Sequence, residues 1–363
     1  MFENRGDHVK KALKAIRLSI VPALLLALMF TAPITNTKPA AAVAQGLPSV
    51  IRIGYFANIT HAPALIAAQQ NLWQQALPGV TIEPFIFSSG SAAVEALKGG
   101  ALDVSYIGPN PAIAGYNTTD GTLLRIVSGA TSGGAQFITS KSIQTVDDLR
   151  GKNIASPGLG GTQDVALKFF LHERGLTPNV DVTVTPTENA TTLQLFQQGQ
   201  IDGAWVPEPW ASRLVLEGNG KVFVDEADLW SNRSFATTNL VATTDFLTRY
   251  PAAIKAIVAT NLQAIDLIKN DKQLAQKLVQ AELLKQSGKQ LSDAVIERAW
   301  LNLQFTADPL ATSLATNAKQ AEAVGLLKLG AGGLKNIFDL RILNELLQGK
   351  NLPLVSAASN GKQ

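Results

Sequence analysis

Cysteine is absent from the 363 residues, and the only methionines, Met1 and Met29, fall within the first 29 positions. Disulfides, cysteine-based metal sites, thiol nucleophiles and a lipid-modified N-terminal cysteine are therefore excluded. Charge is sparse, at 16% of residues against 46% hydrophobic. That balance excludes a charge-rich disordered chain and leaves material for roughly two domains with full cores. Histidine is scarce and scattered, at His8, His61 and His172. The patterns GxSxG, GxxxxGK[ST] and HExxH do not occur. No catalytic residue, metal ligand or cofactor is assigned, and an enzyme is not expected.

The first 44 residues differ from the rest. Lys10, Lys11, Lys14 and Arg17 precede an apolar run from Leu18 to Ala32, and small residues from Ala40 to Ala44 follow. This is the layout of a secretory signal peptide. Pro22 and Pro33 interrupt the run, which is shorter than the roughly 20 residues needed to cross a bilayer. Cleavage is expected after Ala44, giving an exported, periplasmic chain with no lipid anchor. Residues 1–44 hold six of the 31 basic and two of the 28 acidic residues, so the remainder has a net charge of −1. The formal +3 of the whole chain thus gives no signal for nucleic acid or an anionic membrane. No later run reads as long enough to span a membrane.

Beyond the leader, short β-rich runs alternate with helical stretches. Strands are expected at 51–55, 80–87, 103–107, 123–128, 153–155, 181–184, 203–206 and 221–224. Helices are expected at 63–72, 92–98, 163–174, 191–197 and 209–217, the third stopped by Gly175 and the last by Gly218. Such alternation predicts an α/β fold with mainly parallel sheets. From Pro251 to about Gln348 the pattern is helical only, with Ile254, Ile257, Val258, Leu262, Ile265 and Ile268 at helical spacing. Residues 351–363 read as a flexible tail.

One internal echo stands out. Residues 100–107 (GALDVSYI) and 199–206 (GQIDGAWV) share Gly, a branched aliphatic, Asp, a small residue and an aromatic, with Asp103 and Asp202 lying 99 positions apart. Two similar α/β lobes are expected. Ligands of open α/β sheets sit outside the carboxyl ends of the strands, where Asn110 and Glu208 would project. The segments that could hold a ligand, Asn58-Ile59-Thr60-His61-Ala62-Pro63, Ser88-Ser89-Gly90-Ser91 and Pro157-Gly158-Leu159-Gly160-Gly161-Thr162-Gln163-Asp164, open helices with glycine, hydroxyl and amide residues. Backbone N–H groups and the positive end of a helix dipole there suit an anionic oxygen. His61 is a candidate contact, whereas His172 reads as surface. Glu208, flanked by Pro207 and Pro209, reads as either a ligand-facing carboxylate or a salt-bridged turn residue. Trp210 beside it offers an apolar wall and one N–H donor, while Trp205 reads as core.

The segments NITHAPA (58–64), YIGPNP (106–111), GGTQD (160–164), PTENA (186–190) and GAWVPEPW (203–210) resemble the substrate-binding proteins of ABC importers for sulfonates, nitrate and thiamine-precursor pyrimidines. The aliphatic sulfonate branch is the best match. The resemblance runs from about Ile51 to about Ala323. It implies a two-lobed type II clamshell with the ligand between the lobes and two crossover segments, at 136–139 and 235–241. Lobe one would comprise 51–135 plus 238–350, and lobe two 140–234. It also implies a monomer that delivers a small molecule to membrane permease subunits. The expected ligand residues are Asn58, Thr60, His61, Gly90, Ser91, Asn110, Gly161, Thr162, Gln163, Glu188, Asn189, Glu208 and Trp210.

A sulfonate is always anionic and offers three acceptor oxygens, so N–H groups and hydroxyls at Ser91, Gly161 and Thr162 could bind it without a cation. No arginine occurs within the matching segments. A carboxylate at Glu208 facing the ligand would favour an amino-sulfonate such as taurine. Nitrate, or a pyrimidine stacked on Trp210, are the alternatives. Two further readings are a pyrimidine-precursor synthase, disfavoured by the missing cysteine, and a sensor using the same fold without transport.

Overall fold

A computed structural model describes residues 46–357, so the expected signal peptide and its cleavage site lie outside the described residues. The chain begins with β1 (Val50–Phe56), α1 (Ala62–Gln69), α2 (Leu72–Ala76), β2 (Thr81–Phe87), α3 (Gly90–Lys98), β3 (Val104–Ile107), α4 (Pro109–Asn117) and β4 (Leu124–Gly133). A second series follows, of β5 (Ala135–Thr139), β6 (Asn153–Ser156), α5 (Thr162–His172), β7 (Thr183–Pro186), α6 (Asn189–Gln197), β8 (Gly203–Pro207), α7 (Trp210–Leu216) and β9 (Lys221–Asp225). The remainder comprises β10 (Ala236–Thr243), α8 (Thr244–Arg249), α9 (Pro251–Asn270), α10 (Lys272–Ser287), α11 (Asp293–Leu301), β11 (Leu303–Phe305), α12 (Ala311–Ala323) and α13 (Arg341–Gly349).

These strands form two sheets, one per lobe. The first has the order β11-β4-β10-β3-β1-β2 and the second β7-β6-β8-β5-β9. The expectation of mainly parallel sheets needs correction. β1 pairs in parallel with β2 and β3, and β6 with β7 and β8, but every pairing of β5, β10 and β11 is antiparallel. The segments 136–139 and 235–241, expected as crossovers, lie largely inside β5 and β10. The chain passes from the first sheet to the second at Gly133 and Gly134, whose φ values of +77° and +74° are readily reached only by glycine. A side chain at Gly134 would also run into Leu303. The return runs between the end of β9 at Asp225 and the start of β10 at Ala236.

Local chemistry fixes several helix starts. Prolines stand in the first turns of α1, α4 and α9, where a missing N–H costs nothing. Asp271 and Ser292 cap α10 and α11 through their side chains. α9 is the one described helix long and apolar enough to cross a membrane, contrary to the reading that no later run reaches that length. Its Ile254, Ile257, Val258, Leu262, Ile265 and Ile268 are instead buried in the core cluster that also holds Ile51, Ile53 and Tyr55 of β1. Each such side chain contributes about 1.5–3 kcal/mol of transfer free energy. In the second lobe Phe137 stacks on Trp205 at 5.4 Å between ring centroids, and Trp205 is fully buried, as expected. The C-terminal region is not wholly helical, because Leu303–Phe305 adds an edge strand to β4. Nor is residue 351 onward simply loose, since the Asn344 amide both donates to and accepts from the backbone of Val355. Residues 358–363 lie outside the described residues.

The echo has a structural meaning. Asp103 Oδ2 accepts from the backbone N–H of Arg52 in β1, and Asp202 Oδ2 accepts from that of Asn153 in β6. Each aspartate ties its own βα unit to the first parallel strand of its lobe. Gly100 and Gly199, at φ +69° and +68°, make the same turn before each. The two lobes therefore present the carboxyl ends of β1, β2, β3, β6, β7 and β8, and the amino ends of the helices that follow them, as loops of the same kind.

Candidate functional site

Those loops enclose a narrow cavity of about 50 Å³ between the lobes. Lobe one contributes Phe56, Asn58, Thr60, His61, Ser88–Ser91, Gly108, Pro111 and Thr237. Lobe two contributes Pro157–Leu159, Gly161–Gln163, Asn189 and Pro207. None of these residues is Lys, Arg, Asp or Glu. The amino ends of α3, α4, α5 and α6 meet at this point, and those of α4, α5 and α6 have no side-chain cap. First-turn N–H groups are orphans of the helix ladder. Pro109 and Pro111 remove two of them from α4, so α5 and α6 are the richer donors.

Thr162 is the first residue of α5, is 4% exposed, and its Oγ1 has no hydrogen-bond partner. Asn189 Oδ1 is likewise buried without a partner. Unsatisfied buried polar atoms at a cavity wall are costly unless a ligand or water completes them. The glycine-rich loop before Thr162 is held by Asp164, which is fully buried. Asp164 accepts from Ser156 Oγ at 2.9 Å and the Gly160 N–H at 2.8 Å, and its charge is met by Lys168 Nζ at 2.8 Å. That fixes the loop without leaving a free charge in the cavity.

His61 stacks on Phe56 at 4.5 Å, and its Nδ1 accepts from the Phe56 N–H at 3.4 Å. Burial pushes its pKa down to about 3, so the ring is neutral and its proton resides on Nε2, a donor without charge. The lobes touch across the cavity. α5 packs on α4 and α12 of lobe one, and a methyl group built on Gly108 would lie 2.5 Å from Thr162 Oγ1.

Of the expected ligand residues, the cavity brings together Asn58, Thr60, His61, Gly90, Ser91, Gly161, Thr162, Gln163 and Asn189. Four lie elsewhere. Asn110 is buried in α4, with its Nδ2 donating to the Asn317 carbonyl at 3.4 Å. Glu188 is exposed ahead of α6 and does not line the cavity.

Glu208 does not line the cavity and is the salt-bridged turn residue of its two readings. It is fully buried, accepting from Asn302 Nδ2 at 2.7 Å, the Ser212 N–H at 3.0 Å and Arg298 Nη1 at 3.3 Å. Burial raises its pKa, opposed by those same partners. Arg298 also donates to Gln136 and Ser212, so this cluster ties α11 of lobe one to lobe two. Trp210 walls a neighbouring groove and donates from Nε1 to Asn58 Oδ1 at 2.8 Å.

Phe56 and Thr237 carry no signal in the sequence, whereas Pro157–Leu159 lie within the expected Pro157–Asp164 ligand segment. Thr237 sits where β10 slips register against β4, which no local pattern reveals. The Pro157–Asp164 segment did carry a signal in its glycines.

Comparison with known proteins agrees with this architecture. A Brucella abortus (strain 2308) chain, named only as a binding protein, is 26% identical over 230 residues, 63% of this chain and 69% of its own length. The taurine-binding periplasmic protein of Escherichia coli K12 is 26% identical over 203 residues, 56% of this chain and 62% of that one. The alkanesulfonate-binding protein SsuA from Xanthomonas axonopodis pv. citri, solved bound to MOPS, superposes with a TM-score of 0.66 at 25% identity, covering 79% of this chain and 96% of that one. Residues 45–284 match the NMT1-like family description, and the chain accordingly belongs to the NMT1-like family.

Proposed function

We propose that this protein is an exported solute-binding component of an ABC importer. It captures a small organic anion, an aliphatic sulfonate, between its lobes and delivers it to the membrane permease. The observation that carries this reading is an uncharged interlobe cavity at which the uncapped amino ends of α5 and α6 converge on the unpartnered Thr162 hydroxyl. Helix dipoles and N–H groups bind a permanent anion without a countercharge, and keep it exchangeable. The taurine-binding and alkanesulfonate-binding relatives support the same class of ligand. Retention between the lobes rather than chemistry is the role, and hinge closure would present the permease with a new surface.

The position of Glu208 changes the preferred ligand. With that carboxylate spent on Arg298 and Asn302 and no other acid lining the cavity, nothing pairs with the ammonium of taurine. A plain sulfonate is favoured over an amino-sulfonate. A pyrimidine stacked on Trp210 is disfavoured too, because that indole lies outside the cavity. Calorimetric titration with methanesulfonate, ethanesulfonate, taurine, nitrate and an aminopyrimidine tests this reading. Tight binding confined to sulfonates is expected, and flat heats for every anion would refute it.

A further inference from the structure

Next to the cavity lies a larger groove of about 430 Å³. Neighbouring residues line the two spaces in turn. Asn58, Asn189 and Pro207 face the cavity, whereas Ala57, Ala190 and Pro209 face the groove. The Trp210–Asn58 hydrogen bond spans the boundary. The groove's apolar wall is Leu193 and Trp210 from lobe two, with Leu283 and Leu291 from lobe one. Arg213, Glu217 and Lys289 line the groove as well, and Arg213 lies over the Trp210 ring at 4.7 Å from its centroid and pairs with Glu217 at 2.9 Å.

Sizes decide what each space can take. At about 10–15 Å³ per water, the cavity holds only a few waters, the bulk of one oxyanion group. The groove falls within the roughly 300–1,000 Å³ of small-molecule pockets. We propose that the groove is the subsite for the alkyl tail of the sulfonate whose head sits in the cavity, with Trp210 as the gate between head and tail. The inference rests on the cavity being the anion site. Because both lobes form the groove, a tail within it also favours lobe closure, so chain length sets affinity as well as fit.

The test is calorimetric titration of the full mature protein with methane-, ethane-, butane-, hexane- and octanesulfonate. Beyond the shortest members affinity should rise about fourfold per methylene until the groove is filled. Gln194 is exposed, lines the groove and makes no side-chain bond among the described residues. Gln194→Trp should flatten the series, so that octanesulfonate binds no tighter than ethanesulfonate. Equal or falling affinity along the wild-type series would overturn the tail subsite, and so would a rising series that Gln194→Trp leaves unchanged. Absence of binding by every sulfonate, methanesulfonate included, would instead overturn the anion-site reading beneath it. If the variant does not fold, the wild-type series alone decides.

Discussion

Gly108 offers a direct test of whether the lobes must meet as described. Its φ of −70° and ψ of 160° are open to any residue, so alanine is compatible with the lobe-one backbone. What opposes it is the other lobe, with the added methyl 2.5 Å from Thr162 Oγ1, about 1 Å inside ordinary contact. Overpacking of this kind costs about 1–3 kcal/mol, and it is felt only when the lobes close. Gly108→Ala should therefore weaken ethanesulfonate binding by about 5- to 150-fold, with little change in melting temperature. The next atoms around that methyl are the Thr237 carbonyl oxygen at 3.5 Å and Thr162 Cβ at 3.6 Å, both ordinary contacts. In a Thr162→Ala background the hydroxyl is gone, and the same glycine substitution should cost under about 0.5 kcal/mol. Loss of the Thr162 hydroxyl weakens an anion by about 1–2 kcal/mol in its own right. The preference of a helix N-cap for glycine over alanine applies in both backgrounds. A double-mutant cycle removes both effects. Full-strength binding by Gly108→Ala, or an equal penalty in the two backgrounds, would refute the closed-lobe contact.

Two further predictions concern buried charge. Arg298→Met leaves the Glu208 carboxylate without its cation and should cost about 3–5 kcal/mol in urea unfolding; adding Glu208→Gln should recover most of it, and a single variant within about 1 kcal/mol of wild type would refute the role of the cluster. Glu226 is buried and accepts from Trp205 Nε1 at 2.7 Å, and burial raises its pKa from 4.5 to about 7. The folded chain there keeps a proton that the unfolded chain releases, so this group's contribution falls as pH rises from 4.5 to about 7 and is level above. The change is up to about 3 kcal/mol. Glu226→Gln should abolish that slope and unfold at higher urea than wild type at pH 8. His61 acts with the opposite sign, losing stability as pH falls below 6.5 toward about 3, so the difference between variant and wild type is the quantity to measure. An identical pH profile for the two would refute the assignment.

Much of the cavity's lining was legible because it is built from local signals. Glycine, serine, threonine and asparagine at helix starts are read in windows of four or five residues, and they named Asn58, Thr60, His61, Ser91, Gly161 and Thr162. The repeated Gly-x-aliphatic-Asp turn announced two lobes, because Asp103 and Asp202 do the same backbone work in each. Glu208 left two readings open for the opposite reason. Between two prolines it looks displayed, but its cation lies 90 residues later and its amide donor 94 residues later. The partner of Trp210 lies 152 residues earlier.

Short windows of the chain specify the α/β alternation and the glycine- and hydroxyl-rich helix starts, and composition alone excludes cysteine chemistry. Local periodicity and capping are short-range physics, written in adjacent residues. Long-range contacts supply the rest: β5 and β10 are antiparallel strands that contain the crossover segments, Glu208 is met by Arg298 and Asn302 rather than lining the cavity, and Trp210 lines a larger groove beside the small cavity. Strand pairing, charge neutralisation and cavity size all depend on atoms brought together from distant parts of the chain.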